Sequence, residues 1–338
     1  MASHFNRSQS RETIEWTFLV ICMAFCATQL ILSWDKPILD QYAFRQTQTA
    51  ISAYWIAKGG SWLAYATPTL GAPWSIPFEF PFYQWLTASV TSLSPSTTLD
   101  QAGRLVSMGF FLGCLWPAWR IATHYRNGRS TFRVCAALIM LSPLYVFWSR
   151  AFMIESAALF FSIWFVAAVR DFLNRPNVFG LAEMTFAASM AACIKITTFL
   201  GFSLAGALLV VYAMYVAREQ LRYPKALMPY ALTALSVCIS IATLWGWVHY
   251  SDQLKSLNLI GQSLTSHAVG MESWNYGTLA QRGSMDLWRV ILIRAPSEAV
   301  GSWMIAPLVT VYALFRPSWR HIYVYFLLIL LYIVPFFI

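Results

Sequence analysis

Charge is scarce in this chain. Asp, Glu, Lys and Arg make up 11% of its 338 residues, against about 25% in an average soluble domain. So little charge cannot cover a surface that water surrounds on all sides. Nucleotide-binding glycine motifs are missing as well: there is no G-x-G-x-x-G and no Walker sequence, and no G-x-S-x-G marks a hydrolase serine. Cysteine is sparse. Cys22, Cys26, Cys114, Cys135, Cys193 and Cys238 all lie inside apolar runs, and none shows a C-x-x-C spacing. They read as small buried hydrophobes rather than a zinc or disulfide framework. His249 and His267 stand too far apart in sequence for a recognisable metal motif. Repeats and low-complexity segments are also lacking.

What remains is apolar: 58% of the residues are hydrophobic and 17% aromatic. One membrane crossing takes about 20 such residues. Apolar runs at 14–34, 104–122, 132–148, 156–168, 178–194, 198–217, 227–249, 298–315 and 322–338 predict an all-α, polytopic transmembrane bundle of about nine helices. We treat residues 1–338 as one domain. The first run is too long for a signal-peptide core and is expected to stay as an uncleaved helix.

The net charge of +9 belongs to orientation rather than to nucleic acid. Short Arg-rich loops at 124–133, 170–177, 218–225 and 316–321 alternate with the other set. By the positive-inside rule they and the N-terminus are cytoplasmic. Loops 35–103 and 250–297 then lie outside, with the turn at Lys195.

The first outer loop has structure of its own. Residues 41–58 contain no Pro or Gly. As a helix they put Arg45, Gln48, Thr49 and Ser52 on one face, with Phe44, Tyr54 and Trp55 largely elsewhere. That pattern suits a helix lying in the membrane interface, ended by Gly59 and Gly60. Residues 82–93 read as a second interfacial helix. Between them Pro73, Pro77 and Pro81 forbid a regular helix, and Glu79 stands alone among aromatics.

Ionisable groups at the outer helix ends are the candidates for chemistry. Glu155 directly precedes an apolar run. It either complements the helix dipole or serves as a fixed carboxylate. Lys195 interrupts an apolar run; it either snorkels or binds a lipid phosphate. In either role Lys195→Met is expected to leave folding intact. Asp40, and less so Asp35, precede the first interfacial helix as site or cap. Arg45, Arg150 and Arg282 are guanidiniums suited to phosphate or carboxylate. The last long loop, with His267, Glu272 and Trp274, either closes over a substrate or packs on its neighbours.

In order and sidedness these features resemble the C-type glycosyltransferase superfamily, in its aminoarabinose transferase and protein O-mannosyltransferase branch. The likeness runs over 14–320. The family's Phe-Glu-x-Pro segment is similar to residues 78–81, which marks Glu79. Its acid after the third helix falls on Glu155, and the lysine of its Thr-Lys-Gly turn on Lys195, here between Ile194 and Ile196. The paired acids usual in its first outer loop are absent from the helix at Phe44. Asp40 is the nearest substitute.

The resemblance implies transfer of a sugar from a polyprenyl-phosphate donor to a glycan, lipid or protein acceptor. The expected setting is the outer face of a bacterial plasma membrane, in cell-envelope glycan synthesis. It makes Asp40 and Glu155 catalytic and Glu79 and Lys195 substrate-binding, and Arg45, Gln48, Arg150 and Arg282 join these as substrate-binding candidates by their own chemistry and placement. It implies no certain cofactor and allows a divalent metal ion. Relatives usually continue beyond the final run, so either a compact version or a missing C-terminal part is expected. A lipid or solute transporter is the competing reading, favoured by broken helices and charges near the midplane.

Overall fold

The computed structural model describes residues 2–124, 127–271 and 277–300. It is helical throughout, with no named strand among the described residues. Helices α1 (Ala2–Leu32), α4 (Leu99–Gly113) with its continuation α5 (Leu115–Ala122), α8 (Glu155–Asn174), α10 (Ile196–Val216) and α11 (Pro224–Ser256) provide five stretches long and apolar enough to cross a membrane. The chain is therefore a membrane protein with several apolar helices. Helix α9 (Val178–Ile194) is apolar but shorter.

The expected run 132–148 is not one straight helix. It divides into α6 (Gly128–Leu141) and α7 (Pro143–Arg150), bent by 71°. The cause is local. Pro143 supplies no backbone N–H, and it drives Ser142 to an extended ψ of 124°. Counted as one span, this bent pair raises the five to six among the described residues, which hold seven of the nine expected runs. Runs 298–315 and 322–338 lie outside the described residues apart from 298–300. Two further boundaries move. Helix α11 continues to Ser256 rather than stopping at His249, and loop 250–297 contains α12 (Leu279–Arg282) and most of α13 (Met285–Val300).

Both interfacial segments form as helices: α2 (Ala43–Ala57) and α3 (Phe82–Leu93). Gly59 closes α2 at φ 85°, a left-handed geometry that needs no side chain. Phe44, Tyr54 and Trp55 are exposed, as an interfacial face requires, but Gln46, Thr49 and Ser52 are buried against the protein. The polar side of α2 thus packs inward.

Helix α8 is the axis of the bundle, packed between α9, α10, α4 and α5. Buried Ala157, Ala158, Ala167 and Ala168 face a neighbour whose Ala187, Ala188, Ala191 and Ala192 are also buried. Such small residues let helix backbones approach closely. Helices α9 and α11 are joined by hydroxyl contacts from Thr185 to Ser236 (3.0 Å) and Ser189 to Ser240 (3.2 Å).

The end of the bundle away from loop 35–103 is stapled by ion pairs. Arg120 of α5 binds Asp171 of α8 and Glu183 of α9, and His124 approaches Asp171 at 3.1 Å. Arg133 of α6 binds Glu15 of α1 at 2.7 Å.

Candidate functional site

At the loop end, the turn 151–154 between α7 and α8 is completely buried. Its position is dictated by α4. A Cβ at Gly103 would stand 2.1 Å from the Phe152 ring, so only glycine fits there. Ser107 of α4 donates to the Ala151 carbonyl (2.6 Å), and the Tyr83 hydroxyl of α3 donates to the Gly103 carbonyl (2.7 Å). Burial raises the Tyr83 phenol above the ordinary tyrosine range, so it stays protonated as a donor.

Gln46 connects this turn to loop 35–103. It is 1% exposed, and its amide is fully used. The nitrogen donates to Asp40 Oδ1 (2.6 Å) and the Gln41 carbonyl (2.8 Å), while the oxygen accepts from the Phe152 N–H (2.9 Å). Arg150 Nη1 donates to the other Asp40 oxygen at 2.7 Å. Asp40 is therefore clamped on both oxygens, yet its side chain keeps 31% of its exposure.

Glu155 opens α8, and Lys195 is the single extended residue between α9 and α10. Lys195 Nζ donates to Glu155 Oε1 at 2.8 Å, with both side chains mostly buried. Glu155 Oε2 is buried without a partner among the described residues, as are the hydroxyls of Thr197 and Thr198.

The proline segment carrying Glu79 is tied down through its backbone. Ser251 donates to the Pro77 carbonyl (2.6 Å), Tyr65 to the Glu79 carbonyl (2.9 Å), and the Phe80 N–H to the Cys193 carbonyl (3.3 Å). Burial first, then the charge of Glu79, holds the Tyr65 phenol well above its usual range. The Glu79 carboxylate itself has no hydrogen bond among the described residues. Its nearest cation is Arg45 Nη2 at 3.9 Å. Lys255 of α11 acts on it from farther away, with its ammonium 5.5 Å from the Phe78 ring centre and 3.3 Å from Asp252.

These contacts close a ring. Arg45 faces Glu79; Phe80 bonds Cys193; Lys195 bonds Glu155; Phe152 bonds Gln46, the residue after Arg45.

No family model, curated protein or solved structure matches this chain.

Asp40, Arg45, Glu79, Arg150, Glu155 and Lys195 thus come together from segments far apart in sequence. Gln48 is half-buried on α2, where its carbonyl accepts from Ser52. Arg282 ends α12, and its carbonyl accepts from Trp288 Nε1 at 2.8 Å. Glu272 and Trp274 lie outside the described residues. No group of three or more His, Cys, Asp or Glu side chains gathers as a metal cluster among the described residues. Gln46, Asp252 and Lys255 complete the arrangement but have weak signatures in sequence. Gln46 shares α2 with Arg45, and Lys255 falls in a stretch that reads as loop.

Proposed function

We propose that this protein is a membrane glycosyltransferase that moves a sugar from a polyprenyl-phosphate carrier to an acceptor hydroxyl. The observation that carries this reading is the ring, which gathers carboxylates and cations at one end of an apolar bundle. Transfer from a lipid phosphate needs a base for the acceptor's proton and cations for the charge growing on the departing phosphate. Asp40 suits the base, because it is the more exposed acid and is oriented on both oxygens. Glu155 is pinned beneath Lys195 and holds that ammonium in place. Arg45, Arg150 and Lys195 face the phosphate. A single base with in-line attack inverts the anomeric carbon. With the Arg-rich loops cytoplasmic, the ring lies on the outer face, and the bacterial plasma membrane is the proposed setting.

A second reading, transport of a lipid or solute, draws on the 71° break between α6 and α7, since transporters use discontinuous helices. The charges collect at the bundle's ends and not around Ser142 and Pro143, which favours surface chemistry.

The deciding experiment supplies purified protein in lipid nanodiscs with a panel of polyprenyl-phosphate sugars and follows release of the free lipid phosphate. Protein-dependent release is expected, with Asp40→Asn slower by at least about a hundredfold. Folded wild-type protein that turns over no donor, with or without added acceptors, defeats the reading.

A further inference from the structure

Among the described residues, the buried charged side chains are paired with one exception. Glu15 meets Arg133, Glu155 meets Lys195, and Lys255 meets Asp252, each within 4 Å. Arg104 is more deeply buried than any of them, at 1% exposure, and no carboxylate lies within ion-pair distance among the described residues. Its Nε is buried without a partner. The one hydrogen bond its guanidinium makes among them runs from Nη1 to the Trp34 carbonyl, just past the end of α1, at 3.0 Å. A carbonyl dipole offsets only part of a full buried charge.

The surroundings add positive charge. Ser107, three residues after Arg104 on α4, donates to Ala151, the residue after Arg150. The Arg150 end of α7 therefore packs on the part of α4 that carries Arg104, whose guanidinium feels Asp100 most strongly, then Arg150, Asp40 and Asp35. Asp100, one turn earlier on α4, stays beyond ion-pair distance of Arg104, and two other nearby acids are committed elsewhere. Asp35 accepts from Gln101 (2.8 Å), and Asp40 accepts from Gln46 and Arg150. Asp40 pairs with Arg150 and acts on Arg104 only from beyond ion-pair distance, and Arg104 keeps unused donors among the described residues.

We propose that Arg104 and Arg150 form a binding site for a phosphate group, beside Asp40. Guanidinium forks match phosphate oxygens in pairs, and a bound phosphate supplies the counter-charge that Arg104 lacks. The group comes either from a lipid headgroup or from free phosphate. This inference names the anion-binding arginines of the site and rests on the proposed transfer reading for their place in a reaction. Its test measures binding alone, so either idea can fail while the other stands.

Thermal unfolding is followed in neutral phosphatidylcholine nanodiscs with rising inorganic phosphate, against sodium chloride at matched ionic strength. A second arm uses nanodiscs containing phosphatidic acid, against phosphatidylcholine alone. Wild-type protein is expected to unfold at a higher temperature in one arm or both. A response to phosphatidic acid alone assigns the phosphate to a lipid, and a response to both assigns it to phosphate in general. Arg150→Gln and Arg104→Met should each weaken the apparent affinity on the order of tenfold. Without phosphate, Arg104→Met should be at least as stable as wild type, because it removes a buried charge that has no ion-pair partner among the described residues. Should Arg104→Met not fold, Arg150→Gln decides the matter, with Arg104→Lys as the charge-keeping comparison that retains part of the response. Wild-type protein that responds in neither arm overturns the site. So does an undiminished response in Arg150→Gln or in folded Arg104→Met.

Discussion

Replacing Lys195 by Met separates what the sequence implies from what the structure implies. In sequence Lys195 is a lone cation at the end of an apolar run, and Met there is expected to leave folding intact. In the structure its ammonium is the only partner of Glu155 among the described residues, 2.8 Å away, with 14% of the Lys195 side chain and 9% of the Glu155 side chain exposed. Glu155 Oε2 already lacks a partner. Removing the ammonium leaves a buried carboxylate bare on both oxygens. Breaking a buried pair from one side costs about 3–5 kcal/mol, and the low end applies because Lys195 is not wholly buried. Glu155→Gln alone should cost less, since the lysine stem can swing its charge outward. The double variant Lys195→Met/Glu155→Gln carries neither charge and should recover to within about 1 kcal/mol of wild type. The coupling between the two sites is then at least about 2 kcal/mol, as expected for residues in contact. Unfolding in mixed micelles, read by helicity across a denaturant series, measures all four proteins. Wild-type stability in Lys195→Met, together with simple additivity in the double variant, refutes this reasoning. Transfer rates are then compared only at equal amounts of folded protein.

Gln46→Leu should destabilise by about 1–3 kcal/mol, because the Phe152 N–H loses its acceptor in a buried turn; the same unfolding series checks it. Cysteines placed at Asn127 and Ser263 should label from opposite sides of the membrane, and labelling from one side only contradicts the proposed orientation. His124 lies past the end of α5. Burial first and Arg170 second hold its imidazole below the usual value of 6.5, against the pull of Asp171. The unfolded chain therefore binds that proton more readily than the folded one. Stability should rise with pH up to about that value, be complete above it, and decline as pH falls below it. His124→Gln should flatten this slope in unfolding curves taken over the same range.

The parts of this molecule that sequence reveals are those set by neighbours along the chain. The alternation of α2, its glycine stop, the span of α3 and the position of Glu155 at the head of α8 all follow from residues within a turn or two. The broken α6–α7 helix carried a local signal too, in Ser142 and Pro143, but a continuous apolar run hides it. Other features depend on partners far away in the chain. Gln46 and Phe152 are separated by 106 positions, and Ser251 and Pro77 by 174. No periodicity encodes such pairs. Arg104 reads as an ordinary first residue of a span, and only its burial beside Arg150 makes it unusual. Lys255 was hidden for a different reason: α11 runs past the end of its apolar stretch.

Ion pairs alone do not distinguish the loop end as the working end, because the opposite end has them as well. The difference lies in what is left unsatisfied. At the opposite end, Arg120 serves two carboxylates and Arg133 serves Glu12 and Glu15. At the loop end, buried polar atoms of Ser75, Gln84, Arg104, Glu155, Thr197 and Thr198 have no partner among the described residues, and only Ser162 joins that set from deeper in α8. Native proteins rarely leave such atoms unpaired, since each costs about 1–3 kcal/mol. A scaffold under selection for stability alone has no reason to concentrate that cost in one place. A surface that receives hydroxyls and phosphate oxygens does, because the ligand completes the bonds. The asymmetry between the two ends therefore argues for a binding site on its own account, independently of any resemblance.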